Sequence, residues 1–201
     1  EYSGSAQPLV SGGDSNTVYS DARDGVYSAA VPTGTNAGTY SVWYKARGDA
    51  NHNDSAPRAV TVTITPKTLT PTSVDIILSG SDLQDDGSGN YSYVYDGTEK
   101  KPVVTIKDGT VKVPASEYTV TYSNNKNVGT ATVTITSNEG GNYTFAEQTV
   151  NFAITSATAQ LTSSPQAKDL TYTGQAQELV TVGSAEGGHI EYLQDDGTYS
   201  S

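Results

Sequence analysis

The chain contains no cysteine and no methionine among its 201 residues. That removes disulfides, thiolate nucleophiles, thiolate metal ligands and thiol redox switching. Histidine is nearly absent: His52 and His189 are far apart, and neither has a His or Cys neighbour at metal spacing, so no zinc site is expected. Basic residues are scarce, 11 Lys and Arg against 22 Asp and Glu, for a net charge of −11. A chain this acidic gains little from counterion release on a phosphate backbone and is repelled by anionic membranes, so nucleic acid is not an expected partner. Long apolar runs are missing too. The longest strongly apolar stretch, Ile76-Ile77-Leu78, is too short to cross a bilayer or to serve as a signal peptide, and no membrane insertion is expected.

What the chain does have is hydroxyls: 22 Ser and 28 Thr. Leu, Ile, Val and Phe total only 36, and that scarcity combined with high net charge pushes towards disorder. Two features oppose it. Val (19) and Tyr (14) dominate the apolar set and favour strands, and the apolar residues alternate with polar ones. The reading is an all-β chain with thin cores and a hydroxyl-rich surface.

An internal repeat is visible. Tyr2-Ser3-Gly4-Ser5-Ala6-Gln7-Pro8-Leu9-Val10 matches Tyr172-Thr173-Gly174-Gln175-Ala176-Gln177-Glu178-Leu179-Val180, and Tyr95-Asp96-Gly97 is a third copy of its start. Asn36-Ala37-Gly38-Thr39 matches Asn127-Val128-Gly129-Thr130 at an offset of 91, which also aligns Val42 with Val133, Asn51 with Asn142 and Tyr27 with Tyr118. Val60, Val62 and Ile64 then align with Val150, Phe152 and Ile154. The expected organisation is three β modules: 1–66, 67–156 and a partial third, 157–201. The linkers are short, and Pro66 and Pro71 stiffen the first.

Within the modules, Thr130 to Thr136 alternates strictly, and so does Val60 to Ile64. Glu117 to Tyr122 puts Tyr118, Val120 and Tyr122 on one face. No window of eleven residues carries a helical stripe. Asp24-Gly25, Asp86-Gly87, Asp108-Gly109 and Asp196-Gly197 mark turns in which glycine supplies a positive φ.

Several residues are candidates for chemistry. The offset of 91 places Tyr40, Val42 and Tyr44 on the core face and turns Trp43 outward beside Ser41 and Lys45, so Trp43, Tyr44 and Lys45 are the candidate ligand contact. Asp49, Asn51 and Asn53 have the alternate oxygen spacing of a calcium loop. The pattern breaks where Asp54 replaces the loop glycine and Val60 falls on the bidentate glutamate position, which favours a polar hairpin loop. The pairs Asp85-Asp86 and Asp195-Asp196 flank turn glycines and read as turn residues rather than glycosidase acids. No Gly-x-Ser-x-Gly elbow accompanies the many serines. No cofactor is implied. The recurring Tyr2/Gly4, Tyr95/Gly97 and Tyr172/Gly174 read as a strand-end tyrosine packing on the core with a turn glycine, and Asn36/Gly38 and Asn127/Gly129 as a turn before a strand.

Tyr95-Asp96-Gly97-Thr98-Glu99-Lys100-Lys101-Pro102, Glu117-Tyr118-Thr119-Val120-Thr121-Tyr122-Ser123-Asn124-Asn125 and Asn127-Val128-Gly129-Thr130 resemble the YDG-type tandem repeats of bacterial surface proteins. The first and third modules resemble the related MBG-type repeats through Tyr-[Ser/Thr]-Gly and Thr35-Asn36-Ala37-Gly38-Thr39-Tyr40. The resemblance covers nearly the whole chain except the region 82–89. It implies small β-sandwich modules, Ig-like in general shape, with β-grasp-like modules as the alternative. It also implies an extracellular, secreted or cell-wall-attached location in Gram-positive bacteria, a non-catalytic stalk or adhesive role, and neighbouring repeats as partners. Some stalk modules of this kind carry Lys–Asn cross-links; Asn151 with Lys100, Lys101, Lys107 or Lys112 is the pairing that residue type allows. The competing reading is a module that binds glycan or a host surface protein through exposed aromatics. The partial module 157–201 is expected to leave a strand edge that another module or another chain covers.

Overall fold

The computed structural model describes residues 1–70, 72–194 and 197–200. Its regular structure is strand, interrupted by one 3-10 turn at Ala115–Glu117. In chain order the strands are β1 (Gln7–Pro8), β2 (Thr17–Ser20), β3 (Thr33–Gly34), β4 (Gly38–Ala46), β5 (Arg58–Ile64), β6 (Lys67–Thr68), β7 (Val74–Ser79), β8 (Gln84–Asp85), β9 (Tyr91–Val94) and β10 (Val103–Asp108). There follow β11 (Val111–Lys112), β12 (Tyr118–Ser123), β13 (Gly129–Ser137), β14 (Tyr143–Thr144), β15 (Gln148–Thr155), β16 (Gln160–Ser163), β17 (Ser184–Glu186), β18 (Tyr192–Leu193) and β19 (Tyr199–Ser200). The chain divides into two compact units. One comprises Glu1–Leu83, Lys101–Ser123 and Thr132–Asn151; the other comprises Gln84–Lys100, Asn124–Ala131 and Phe152–Ser201.

In the first unit, β4 lies between β2 and β5 in an antiparallel sheet. Alternation along β4 sends Tyr40, Val42 and Tyr44 to one face, where they join Leu9, Tyr19 and Ile64 in a core; Val42 is 1% exposed. The sequence alignment of Tyr27 with Tyr118 is corrected here. The strand that pairs with β4 is Thr17–Ser20, so the counterpart of Tyr118 at the start of β12 is Thr17, opposite Ala46 as Tyr118 is opposite Ser137. A longer β2-to-β4 connection carries Tyr27 out of register. The same unit holds β10 between β7 and β11, and β12 paired with β13. Val133 and Ile135 of β13 are fully buried, as is Ile106 of β10. Tyr118 and Tyr122 on β12 donate their hydroxyls to the carbonyls of Val104 (3.1 Å) and Pro102 (2.6 Å), satisfying polar atoms in a region of mixed packing.

In the second unit, β9 pairs in parallel with the C-terminal half of β15, from Tyr91 opposite Phe152 to Val94 opposite Thr155. The Tyr93 ring meets Phe152 edge-on, with centroids 5.6 Å apart. Residues 157–201 contribute the short pairs β16–β17 and β18–β19. Among the described residues this segment has no buried apolar side chain, and Tyr172, Leu179, Val182 and Tyr199 are largely exposed.

The turn glycines follow expectation at Gly87, Gly109 and Gly197, all with positive φ. Gly25 departs from it: its φ is not positive, and a Cβ there would stand 2.5 Å from Ser20 Oγ, so close approach rather than handedness requires glycine.

Candidate functional site

The structure does not bring Trp43, Tyr44 and Lys45 onto one surface. Tyr44 packs on the core, while Trp43 and Lys45 share the opposite face of β4. Trp43 is half-buried and stands opposite Ser20 and Ala59. The Lys45 ammonium is engaged by Asp54 at 2.9 Å and lies 4.5 Å from the Tyr27 ring centroid. Tyr44 lines an open cavity of about 390 Å³ with Val10, Thr17, Tyr19, Val42 and Val60.

The carboxylates of the calcium-like loop are engaged within it. Asp49 Oδ1 accepts the Asn51 backbone N–H at 2.8 Å and sits 2.7 Å from His52 Nδ1, and these contacts hold its pKa below the usual value. Asp54 faces Lys45 and the Gly48 N–H, which lower its pKa in that order. The loop carboxylates serve donors of their own hairpin. Among the described residues no group of three His, Cys, Asp or Glu side chains could hold a metal ion.

The repeat motifs have the same local geometry in each copy. Gly4, Gly97 and Gly174 have φ of 79°, 79° and 74°. In each, the hydroxyl of the preceding Tyr2, Tyr95 or Tyr172 stands about one van der Waals contact (3.9 to 4.0 Å) from where a Cβ would lie. Packing differs between copies. Tyr2 is half-buried against the core and meets Tyr143 edge-on at 5.3 Å, Tyr95 is 38% exposed, and Tyr172 is 93% exposed. A core-packing role therefore holds for Tyr2 and is corrected for Tyr172, which has no core beneath it. Tyr95 and Gly97 line a cavity of about 580 Å³ with Val128, Thr158 and Glu186. Gly38 and Gly129 also match, at φ 148° and 142°. Asn127 and Gly129 line an open cavity of about 430 Å³ with Asn124 and Lys126.

Sequence reasoning missed the best-built polar arrangement. Glu117, only 8% exposed, accepts the Asn142 backbone N–H (2.6 Å), the Asn142 side-chain amide (3.1 Å) and the Tyr143 N–H (3.4 Å). Thus oriented, Asn142 accepts the Ala37 N–H at 2.7 Å and donates to Asn36 Oδ1 at 3.4 Å. The Asn36–Gly38 turn is therefore gripped by a loop more than a hundred residues away. Beside it, β6 pairs in parallel with β14, Thr68 N–H reaches Glu1 Oε1, and the Lys67 ammonium pairs with Asp108. The only sequence signal for this clasp was the alignment of Asn142 with Asn51, which says nothing about Asn36.

The remaining candidates are placed simply. Asp85 and Asp86 accept the N–H groups of Gly87 and Ser88 in a turn; Asp195 and Asp196 lie outside the described residues. Asn151 is exposed and accepts the Thr132 hydroxyl at 3.0 Å. Lys100, 8% exposed, directs its ammonium to Asp96 Oδ2 at 2.5 Å and lies 5.4 Å from the Tyr93 ring centroid. Compared with protein-family models, curated proteins and solved structures, the chain matches none of them.

Proposed function

We propose that this chain is a non-catalytic stalk or adhesive repeat region of a bacterial surface protein, extracellular and secreted or wall-attached, related to the MBG- and YDG-type repeats. Its modules are small Ig-like sandwiches in tandem at 1–66, 67–156 and 157–201, and its partners are neighbouring repeats of the same protein. The observation that carries this reading is the clasp of Glu117 and Asn142 on the Asn36–Gly38 turn. A spacer transmits position or force only if successive modules are held in one orientation, and Asn142, which Glu117 orients, bonds the Ala37 N–H and the Asn36 side chain of the preceding module. The exposed apolar side chains of residues 161–199 support a second partner, a strand edge of another module or chain. The experiment is a residual dipolar coupling measurement. One alignment tensor for 1–66 and 67–156 is the expected result; two independent tensors would overturn the spacer reading. Hydrolysis of peptide, ester or glycoside substrates, abolished by one substitution, would overturn its non-catalytic part.

The exposed rings of Tyr172 and Tyr199 favour a second reading, capture of glycan or a host surface protein through aromatic contact. A glycan-array screen with a Tyr172→Ala control separates the two.

A further inference from the structure

β2 and β12 are equivalent edge strands with different neighbours. The Arg47 N–H donates to the Asn16 carbonyl at 2.7 Å, and the Asn138 N–H donates to the Glu117 carbonyl at 2.8 Å. Each bond continues its ladder, β2–β4 or β12–β13, one step beyond the first paired residues, Thr17 opposite Ala46 and Tyr118 opposite Ser137. Asn16 and Glu117 therefore point their carbonyls inward. Alternation then points the N–H and C=O groups of Tyr19 outward in β2, and those of Tyr118, Val120 and Tyr122 outward in β12. Tyr19 and Val120 hold the same register position, opposite Tyr44 and Ile135. Tyr19 uses its outward groups: it exchanges both backbone bonds with Ser28, at 2.7 and 2.9 Å, in an antiparallel bridge. Among the described residues no backbone hydrogen bond reaches the outward groups of Tyr118, Val120 or Tyr122.

The difference comes from the connection inside each module. Residues 21–37 join β2 to β4 and fold back along β2, with the Tyr27 ring centroid 4.5 Å from the Lys45 ammonium. Residues 124–128 join β12 to β13 directly and are too few to fold back. The uncovered strand, Tyr-Thr-Val-Thr-Tyr-Ser, carries no charge, proline or bulge, the devices that ordinarily blunt an edge. Thr119, Thr121 and Ser123 are exposed on its outer face. The strand is also held still: the Tyr118 and Tyr122 hydroxyls donate to the carbonyls of Val104 and Pro102. An edge already fixed in strand geometry loses little conformational freedom when a further strand adds to it.

We propose that the outer edge of β12 accepts an antiparallel strand of a partner protein, with a small residue opposite Val120 and basic residues at the strand's ends. The small residue is assigned from Ser28, which fills the equivalent place opposite Tyr19. The basic ends are assigned from charge: β12 is neutral and the chain carries −11, which attracts a cationic segment and opposes the pairing of two copies. Main-chain bonds to Tyr118, Val120 and Tyr122 give the attachment, and side chains beside Thr119 and Thr121 give the selectivity.

The test titrates the 201-residue chain with the peptide Lys-Lys-Val-Tyr-Ser-Ala-Ala-Lys, in which the sequence of residues 26–30 is flanked by lysines. The control is the same peptide with N-methylserine, which lacks the N–H that would donate to the Val120 carbonyl. Amide hydrogen exchange is read residue by residue. In the chain alone, fast exchange at Val120 and protection at Tyr19 are expected. Saturable slowing of Val120 exchange by about tenfold or more at millimolar peptide, and none with the N-methyl control, is the supporting result. Equal slowing by the control, slowing at Tyr19 in place of Val120, or no slowing would overturn the proposal. So would protection of Val120 without peptide that grows with protein concentration, the mark of a second copy on the edge.

Discussion

Gly129 shows how one residue is constrained by its backbone alone. Nothing lies within 4 Å of where its Cβ would be, yet φ is 142°, so Gly129→Ala carries no clash and still costs about 1–3 kcal/mol. A urea midpoint lowered without a change in slope is the expected result. Gly141 is the opposite case: a Cβ would meet Glu117 Oε2 at 2.5 Å and displace the carboxylate. Asp96 illustrates electrostatics at the same scale. The Lys100 ammonium first, and Thr98 second, hold its pKa well below the ordinary carboxylate range. Its folded pKa is depressed, so its contribution to stability is present above the ordinary carboxylate value and is lost as pH falls below it. Lys100→Met is expected to move the Asp96 titration upward towards 3.8, read from its carboxyl carbon by NMR.

At the scale of the element, period-two alternation predicted β13 correctly. Val133 and Ile135 are fully buried, while the intervening threonines are half-buried. Ile135→Ala therefore costs about 2–5 kcal/mol, whereas Val94→Ala, at a 46% exposed position, stays within about 0.5 kcal/mol. Chemical denaturation of the two variants side by side checks the contrast. The pairing partner of β4 was not legible, because the match of Tyr27 to Tyr118 followed residue identity while the β2-to-β4 loop had lengthened. The clasp was not legible either. Glu117, Asn142 and Asn36 are common polar residues, and only the folded chain shows that the carboxylate is buried. Asn142→Ala removes the acceptor of the Ala37 N–H and one donor to Glu117, a loss of about 1–3 kcal/mol. Residual dipolar couplings on the same variant are expected to separate into two tensors.

For the whole molecule, the uneven distribution of buried surface decides behaviour. Buried apolar side chains run from Leu9 to Ile154 and stop there among the described residues. A segment that buries none offsets little of its ordering entropy, and its exposed edges invite pairing. Light scattering across a concentration series is expected to show association of the 201-residue chain that a truncation to 1–156 lacks. Equal monomeric behaviour of both would remove the pairing role of residues 157–201.

The sequence by itself determined the strand class, the alternation of faces and the recurrence of Tyr-x-Gly and Asn-x-Gly, because these depend on neighbours a few residues apart. Their matching φ values in each copy follow from that local chemistry. The tertiary structure alone decided that Tyr2 packs while Tyr172 does not, that Lys45 pairs with Asp54, and that Asn142 grips the Asn36–Gly38 turn. Each of these depends on what a distant segment places opposite the residue, and burial of a polar or aromatic group is a property of that pairing rather than of the motif.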